Sequence, residues 1–473
     1  MRATWCRLFL LLTGAIAVCF GPRSLRAETP TPPPAPPALP PITPLRYTED
    51  YSAAPPSLKH IPLGDGGDSY LSLGIEVRLR YEFYQDNQWG QGPQDPGGYL
   101  WARTMPYADL HIGPNVRAFG QLVSAFEWWD AAGIRPPDED RLDVLQAFVD
   151  LSVPIGEGHS LLVRPGRQIL RYGSERLLGM RYGANVPLPF DAALARFETG
   201  PWRVDAFYGH PVDTKRGEWD DQANDTQALW AVYATTALPS IGKRAGVDAY
   251  YIGYSDDEAR FAQGPGKEVR HTIGGRFFGE TRGLDWDLEA SYQFGQYDMA
   301  TADGRISAWA VNSNIGYTFD RAPFSPRLGM KANVISGDDN PRDAGLQTYN
   351  SLFPRRKYFG EMGVLGPYNL VDVHPSLSLQ LTNKTTFELA SVFYWRFSTD
   401  DGIYNNAGNV IRPGFNSDAR YIGTQLEAAL THRFSREFEV SATYEVFLPG
   451  AFIENSGPDE VVHFVGIELL FRF

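Results

Sequence analysis

The chain has 473 residues, 13% of them aromatic and 47 of them glycine, with a formal net charge of −13. That length exceeds one ordinary soluble core and suits a large single-domain barrel, while the aromatic and glycine content favours strands and turns over helices. The acidic balance argues against a nucleic-acid binder, and both cysteines, Cys6 and Cys19, lie in the first twenty residues, so the remaining chain has no disulfide framework, thiolate metal site or thiol nucleophile.

Arg2 and Arg7 flank the start, Leu8 to Phe20 is apolar, and Leu25-Arg26-Ala27 offers a small residue for cleavage. An apolar run of about thirteen residues is short for a transmembrane helix and right for a secretory signal, so residues 1–27 are expected to be a signal peptide. Acylation of Cys19 is the weaker reading, because Val18 is bulky where a lipoprotein signal wants a small residue. Loss of residues 1–27 removes four arginines and no acid, taking the net charge from −13 to −17. From Glu28 to Leu58 the chain is rich in proline, densest at Thr31-Pro32-Pro33-Pro34 and Pro36-Pro37. Proline favours extended, hydrogen-bond-free backbone, which predicts a semi-rigid periplasmic segment over 28–69 rather than a packed element. An arm that docks a periplasmic partner is the alternative.

After Ser69 the hydropathy alternates with period two. Leu71, Leu73, Ile75, Val77, Leu79, Tyr81 and Phe83 point one way, and Ser72, Gly74, Glu76, Arg78, Arg80 and Glu82 the other. The stretches 284–296 and 437–448 repeat the pattern, so each segment has one apolar and one charged face. Many segments run to eleven to fourteen residues, beyond the usual globular strand and enough to cross a bilayer at a tilt. Eighteen segments are expected, starting near 71, 100, 115, 142, 159, 190, 202, 225, 245, 269, 284, 306, 326, 371, 385, 421, 437 and 461. Short links (113–114, 154–158, 200–201, 383–384, 435–436) alternate with long ones (85–99, 129–141, 170–189, 211–224, 338–370, 398–420), as periplasmic turns alternate with outer loops. The chain ends in an alternating segment closed by Phe473, and aromatic residues crowd the strand ends (Phe83, Tyr84, Trp128, Trp129, Tyr394, Trp395) as an interfacial girdle would. The fold class is therefore all-β: a transmembrane antiparallel up-and-down β-barrel of about eighteen strands over 70–473, in the bacterial outer membrane. Closure removes sheet edges that lipid cannot satisfy, and charged faces must then line an aqueous lumen.

Four motifs resemble the alginate export family of outer-membrane proteins over about Leu71 to Phe473. They are Asp109-Leu110 leading to Val116-Arg117-Ala118-Phe119-Gly120-Gln121, Ala147 to Leu151 before Arg164-Pro165-Gly166-Arg167-Gln168, Arg356 to Glu361, and Tyr444 to Phe452 before the last strand. The resemblance implies an exopolysaccharide exporter, fed from a periplasmic complex with a tetratricopeptide-repeat scaffold, whose arginine-rich constriction selects a polyuronate. The chain departs from that pattern: His111, Ile169, Ser441 and Thr443 stand where the alginate exporter has arginines, and its long periplasmic loop is reduced here to Ser435-Arg436.

By parity, Arg78, Arg80, Arg103, Arg117, Arg396 and Arg433 are expected to face the lumen. Gly166 is a candidate bulge, which leaves the facing of Arg167 and Arg171 open. The 338–370 loop is long enough to be functional and carries Arg342, Arg355, Arg356 and Lys357 before Tyr358-Phe359. It is expected to fold into the pore, where arginine forks suit carboxylates. Structural pairing with Glu76, Glu82, Asp285 and Glu289 is the competing role for strand arginines, and contact with lipopolysaccharide phosphates is the competing role for 355–357. No catalytic group is expected: the histidines are scattered without metal-ligand spacing, no nucleophile elbow or phosphate loop occurs, and no cofactor or metal is called for. Three functions stay open: an export pore for an anionic or neutral polysaccharide, expected to be a monomer with its long loop late; a passive porin for small solutes, expected to trimerise with an inward loop early; and a plugged structural barrel.

Overall fold

The computed structural model describes residues 39–473 except 65–67, 132, 135, 136 and 356. The signal-peptide expectation and the Thr31–Pro37 prolines lie outside the described residues. Eighteen antiparallel strands form the wall: β1 Tyr70–Gln85, β2 Tyr99–Ile112, β3 Val116–Trp128, β4 Asp140–Pro154, β5 His159–Gln168, β6 Phe190–Thr199, β7 Trp202–Asp213, β8 Gln227–Ala237, β9 Lys243–Phe261, β10 Gly264–Thr281, β11 Leu284–Met299, β12 Asp303–Thr318, β13 Arg327–Ile335, β14 Leu370–Thr382, β15 Thr385–Arg396, β16 Tyr421–Arg433, β17 Phe438–Pro449 and β18 Val462–Arg472. All eighteen expected segments are present, each starting within five residues of its expected position. Every strand pairs with its chain neighbours, and β1 pairs with β18 from Glu76 opposite Arg472 to Gln85 opposite His463, which closes the barrel.

Alternation sorts side chains as lipid demands. Leu79, Leu288, Tyr292, Tyr444 and Leu448 stay exposed on the outside, while their neighbours Arg78, Glu289, Gln293, Thr443 and Glu445 are buried inside. An apolar outer band with a polar interior is the arrangement of a membrane barrel, because charge facing lipid is costly. Among the described residues no helix is long and apolar enough to cross a membrane; the strands make the crossing.

The wall is uneven in height. Strands β9 to β12 span 16 to 19 residues and turn tightly at the outer end. Elsewhere, β1 apart, the strands are shorter and the outer connections long, and two of these, 169–189 and 336–369, fold back into the lumen. They meet there: the N–H of Gly179 donates to the Phe353 carbonyl at 2.8 Å, that of Phe353 to Leu177 at 2.9 Å and that of Arg355 to Glu175 at 2.9 Å. A cluster of apolar side chains from both loops, including Leu177, Leu178, Leu352 and Phe353, packs against inward residues of the wall.

The N-terminal segment corrects one expectation. Residues 39–62 are not an unpacked spacer; they bind the inside of the short-turn, periplasmic end. Tyr47 stands edge-on between Phe119 and Phe148, at 5.8 and 5.2 Å. Its carbonyl accepts from Arg117 at 2.6 Å, and Arg164 lies 4.5 Å above its ring. Leu45 is buried among Met105, Val123, Leu145 and Ile169. Lys59 donates to the Tyr107 hydroxyl at 2.7 Å, and Ile61 and Pro62 pair with Leu71 and Tyr70. Proline content signalled an extended arm, but the apolar and aromatic residues between the prolines give it a face to bury.

Candidate functional site: a charged belt in the lumen

Strand β1 presents Glu76, Arg78, Arg80 and Glu82 to the lumen, with Arg103 on β2 and Glu468 and Arg472 on β18 beside them. The register sets Arg78 directly opposite Arg103, a like-charge pair that repels unless something intervenes. The 169–189 loop intervenes. Arg78 donates to the carbonyls of Tyr182 and Ala184 at 2.9 and 2.7 Å. Arg103 donates to those of Ala184 and Asn185 at 3.2 and 3.1 Å and to Glu76 at 2.6 Å. Arg472 donates to Glu76 at 3.0 Å and to the Tyr182 hydroxyl at 2.7 Å. The Tyr182 ring lies within 6 Å of all three guanidiniums, close enough for cation–π attraction.

The 336–369 loop completes the belt. Arg80 contacts Glu82, Glu361 and Glu468 at 2.5, 2.7 and 3.1 Å, and Lys357 pairs with Glu361 and lies 3.5 Å from Glu82. Five cations thus share four carboxylates. Burial works to raise the Glu361 carboxyl, but Lys357 and Arg80 outweigh it and hold it at about 2. Burial and the Arg80 charge lower the Lys357 ammonium, opposed by Glu361 and Glu82. The loop backbone is fixed by Glu445, which accepts from the N–H groups of Glu361 and Met362 at 2.5 and 2.9 Å. Gln425 and Tyr84 add bonds to the carbonyls of Phe359 and Met362.

Beside the belt, Phe207, Tyr172, Tyr233 and Tyr250 follow one another at 5.2, 4.9 and 5.3 Å between ring centres. The three tyrosine hydroxyls are anchored on Asp205, Asp248 and Glu289. Arg176 from the early loop bonds Asp287 and Glu289 at 2.8 and 2.7 Å, and Arg327 holds Asp285 at 2.5 Å. The Asp285–Asp287–Glu289 row is therefore an ion-paired lumen face. Toward the outer end a cavity of about 660 Å³ opens among Arg181, Tyr254, Asp256, Arg260, Glu268 and Asn350. A depression of similar size between Val232, Tyr251, Ile273, Tyr292 and Trp309 faces lipid and takes no part in the lumen.

The structure gathers some predicted residues and separates others. Arg78, Arg80, Arg103 and Lys357 join the belt. Arg117 lies nearer the periplasmic end, bonded to Asp109 at 2.6 Å. Arg167 grips Asp191 at 2.8 and 3.0 Å. Gly166 is not a bulge: φ is +127°, yet register is kept from Phe148 opposite Gly166 to Leu151 opposite Val163. Arg171 pairs with Glu175 at 2.7 Å. Arg396 is wholly buried and donates to the carbonyls of Thr399, Asp401, Ser417 and Ala419, so its guanidinium is committed to folding the 397–420 loop. Arg433 sits exposed at the periplasmic rim with Glu439 at 3.0 Å. Arg355 is exposed on the inward loop, and Arg356 lies outside the described residues. His111, in the place of a family arginine, lies 3.2 Å from Asp109 and stacks on Tyr70. Ile169 packs against Leu45. Sequence reasoning missed Tyr182, Arg176, Glu361, Glu445 and Arg472. The length of the 170–189 link and its aromatic and arginine content were the available signal for the first two.

A closed eighteen-strand barrel with an apolar outer band, inward loops and an ion-paired lumen is an outer-membrane channel. The alginate export family profile matches residues 69–467, and the chain belongs to that family. No curated protein matches it. Among solved structures it is similar to Pseudomonas aeruginosa OccK2 (OpdF) in complex with glucuronate, at 11% identity and TM-score 0.55, covering 87% of this chain and 99% of that one. It is also similar to Pseudomonas aeruginosa OpdK with vanillate (9%, 0.56, 87% and 100%) and OccK3 (OpdO) (12%, 0.54, 85% and 95%). At such identity these likenesses speak for the fold alone.

Proposed function

We propose that the barrel exports an acidic exopolysaccharide, alginate or a related polyuronate, through the belt formed by Arg78, Arg80, Arg103, Arg472 and Lys357, without catalysing any reaction. Family membership over 69–467 carries this reading. Five cations against four carboxylates within the belt support it. Guanidinium forks that exchange a protein carboxylate for a uronate keep their charge paired throughout. Polymer then moves by stepwise exchange, with the Tyr172–Tyr233–Tyr250 row offering aromatic faces to sugar rings. In this reading the chain works as a monomer beside lipopolysaccharide, fed by a periplasmic tetratricopeptide-repeat scaffold.

A second reading, a porin taking up small solutes, is favoured by one observation: the lumen also carries an early inward loop, 169–189, in addition to the late one. Loop position therefore does not separate the two. A host strain deleted for this chain distinguishes them. Export predicts that uronic-acid polymer falls in the medium and accumulates or is degraded in the periplasm, with restoration by the wild-type chain. Normal secretion, with impaired uptake of a small carboxylate, would transfer the function to the porin reading.

A further inference from the structure

At the outer rim β4 begins with two carboxylates that ordinary alternation would set on opposite faces. Asp143 lies opposite Val123 and Asp140 opposite Ala125 on β3, with a shift of register between them. Three steps on β4 match two on β3, and this bulge turns both carboxylates to one side. Strand β5 has already left the wall here, and the 214–226 loop takes its place. Arg141 donates its N–H to the Gly217 carbonyl at 3.2 Å, and Trp219 donates to that of Leu142 at 2.9 Å. The loop thereby brings Asp220 and Asp221 to Asp143, whose carboxylate accepts both of their N–H groups at 2.8 and 3.0 Å. Carboxylate oxygens of Asp143, Asp220 and Asp221 lie within 4.8 Å of one another.

Asp140 is the independent observation. Its side chain is 0% exposed, and among the described residues neither carboxylate oxygen has a hydrogen-bond partner. Among the described residues, the carboxylates of Asp221, Asp143 and Asp220 act on it, opposed by Arg167. Arg167 is already committed to Asp191 through two bonds and reaches Asp143 only at 3.7 Å. Arg141 and Arg216 turn to Glu139. A buried carboxylate without a partner beside three others is costly unless a cation joins them.

We infer that Asp143, Asp220 and Asp221, with the buried carboxylate of Asp140 beside them, form a calcium site that clamps the 214–226 loop onto the outer end of β4. The chemistry selects calcium: the donors are all hard oxygens, with no imidazole or thiolate to favour zinc or copper. Ligands at about 2.4 Å from Ca²⁺ stand at most about 4.8 Å apart, a limit that Asp143, Asp220 and Asp221 meet. Asp143 holds the loop backbone with one oxygen; the other accepts from the Val144 N–H at 2.7 Å and has a second lone pair to offer the ion. The loop is thus held on the rim in calcium and released without it.

The test uses the mature chain, folded in detergent free of lipopolysaccharide. Calcium chloride is titrated by calorimetry, and trypsin cleavage at Lys215 and Arg216 is followed in calcium and in chelator. The expected result is one saturable site, with a dissociation constant of about 10⁻³ M or tighter, and slower cleavage in calcium. Asp140→Asn should weaken binding by about tenfold or more with unchanged heat-modifiable mobility, because Asp140 makes no hydrogen bond that the fold needs. Asp220→Asn, on the exposed side, provides a second variant that leaves the strand untouched and should weaken binding in the same direction. Absence of saturable binding, unaltered affinity in both variants, or cleavage indifferent to calcium would overturn the proposal.

Discussion

Two segments enter the lumen from opposite ends, and they are held by different physics. The N-terminal arm, residues 39–62, rests on Tyr47 between two phenylalanines, on Leu45 in an apolar nest and on Lys59 above Phe473. The 336–369 loop is tied at both ends and woven into carboxylates and guanidiniums by Glu445, Glu361 and Lys357. Apolar and aromatic contacts of a chain end can be shed as a unit, because release costs buried area and restores chain entropy. A doubly anchored, charge-paired loop cannot leave without stranding buried charge. The arm is thus the element suited to move, and the loop the element suited to read the cargo.

Removal of residues 28–62 gives the largest effect on this view: single-channel conductance should rise several-fold while barrel folding, read by heat-modifiable mobility, is unchanged. An unaltered conductance would make the arm a lining and leave the gate elsewhere. Replacement of Arg355, Arg356 and Lys357 by alanine should shift the ratio of anion to cation permeability toward cations, since it leaves Glu82 and Glu361 with Arg80 alone in the belt. Unchanged selectivity with normal folding would place that segment away from the path of ions. Glu445→Gln replaces one of the two carboxyl oxygens that accept loop N–H groups with an amide donor; at about 1–3 kcal/mol for such bonds, it should raise open-channel noise and speed proteolysis within 336–369. The smallest effect is on pH. Because Glu361 is held at about 2, the docking it contributes is complete above the ordinary carboxylate range and is lost only as pH falls toward that value. The share of docking that Glu361 carries, read as the difference in channel noise between this chain and its Glu361→Gln variant, should therefore be flat from pH 8 to 5 and shrink in stronger acid.

The wall was legible because each strand residue meets one of two solvents, lipid or water, and period two records which. That is why β1, with Leu79 out and Arg80 in, was read residue by residue. The interior was less legible. Arg396 had the parity of a lumen residue, but the wall ends beside it and its guanidinium turns to loop carbonyls that no local pattern announces. Tyr182 gains its place from Arg78, Arg103 and Arg472, which are distant from it along the chain and adjacent only after closure. The arm was misread because proline content describes backbone stiffness and says nothing of what Leu45 and Tyr47 find to pack against.

The central claim, a lumen that reads polyanionic sugar, is tested most directly in planar bilayers, with reversal potentials measured across a salt gradient and block titrated with oligouronates and with neutral oligosaccharides of equal length. The account predicts anion selectivity and block by oligouronate at lower concentration than by neutral sugar, with that preference reduced in the Arg355–Lys357 alanine variant. Cation selectivity, or block by neutral sugar alone, would contradict it.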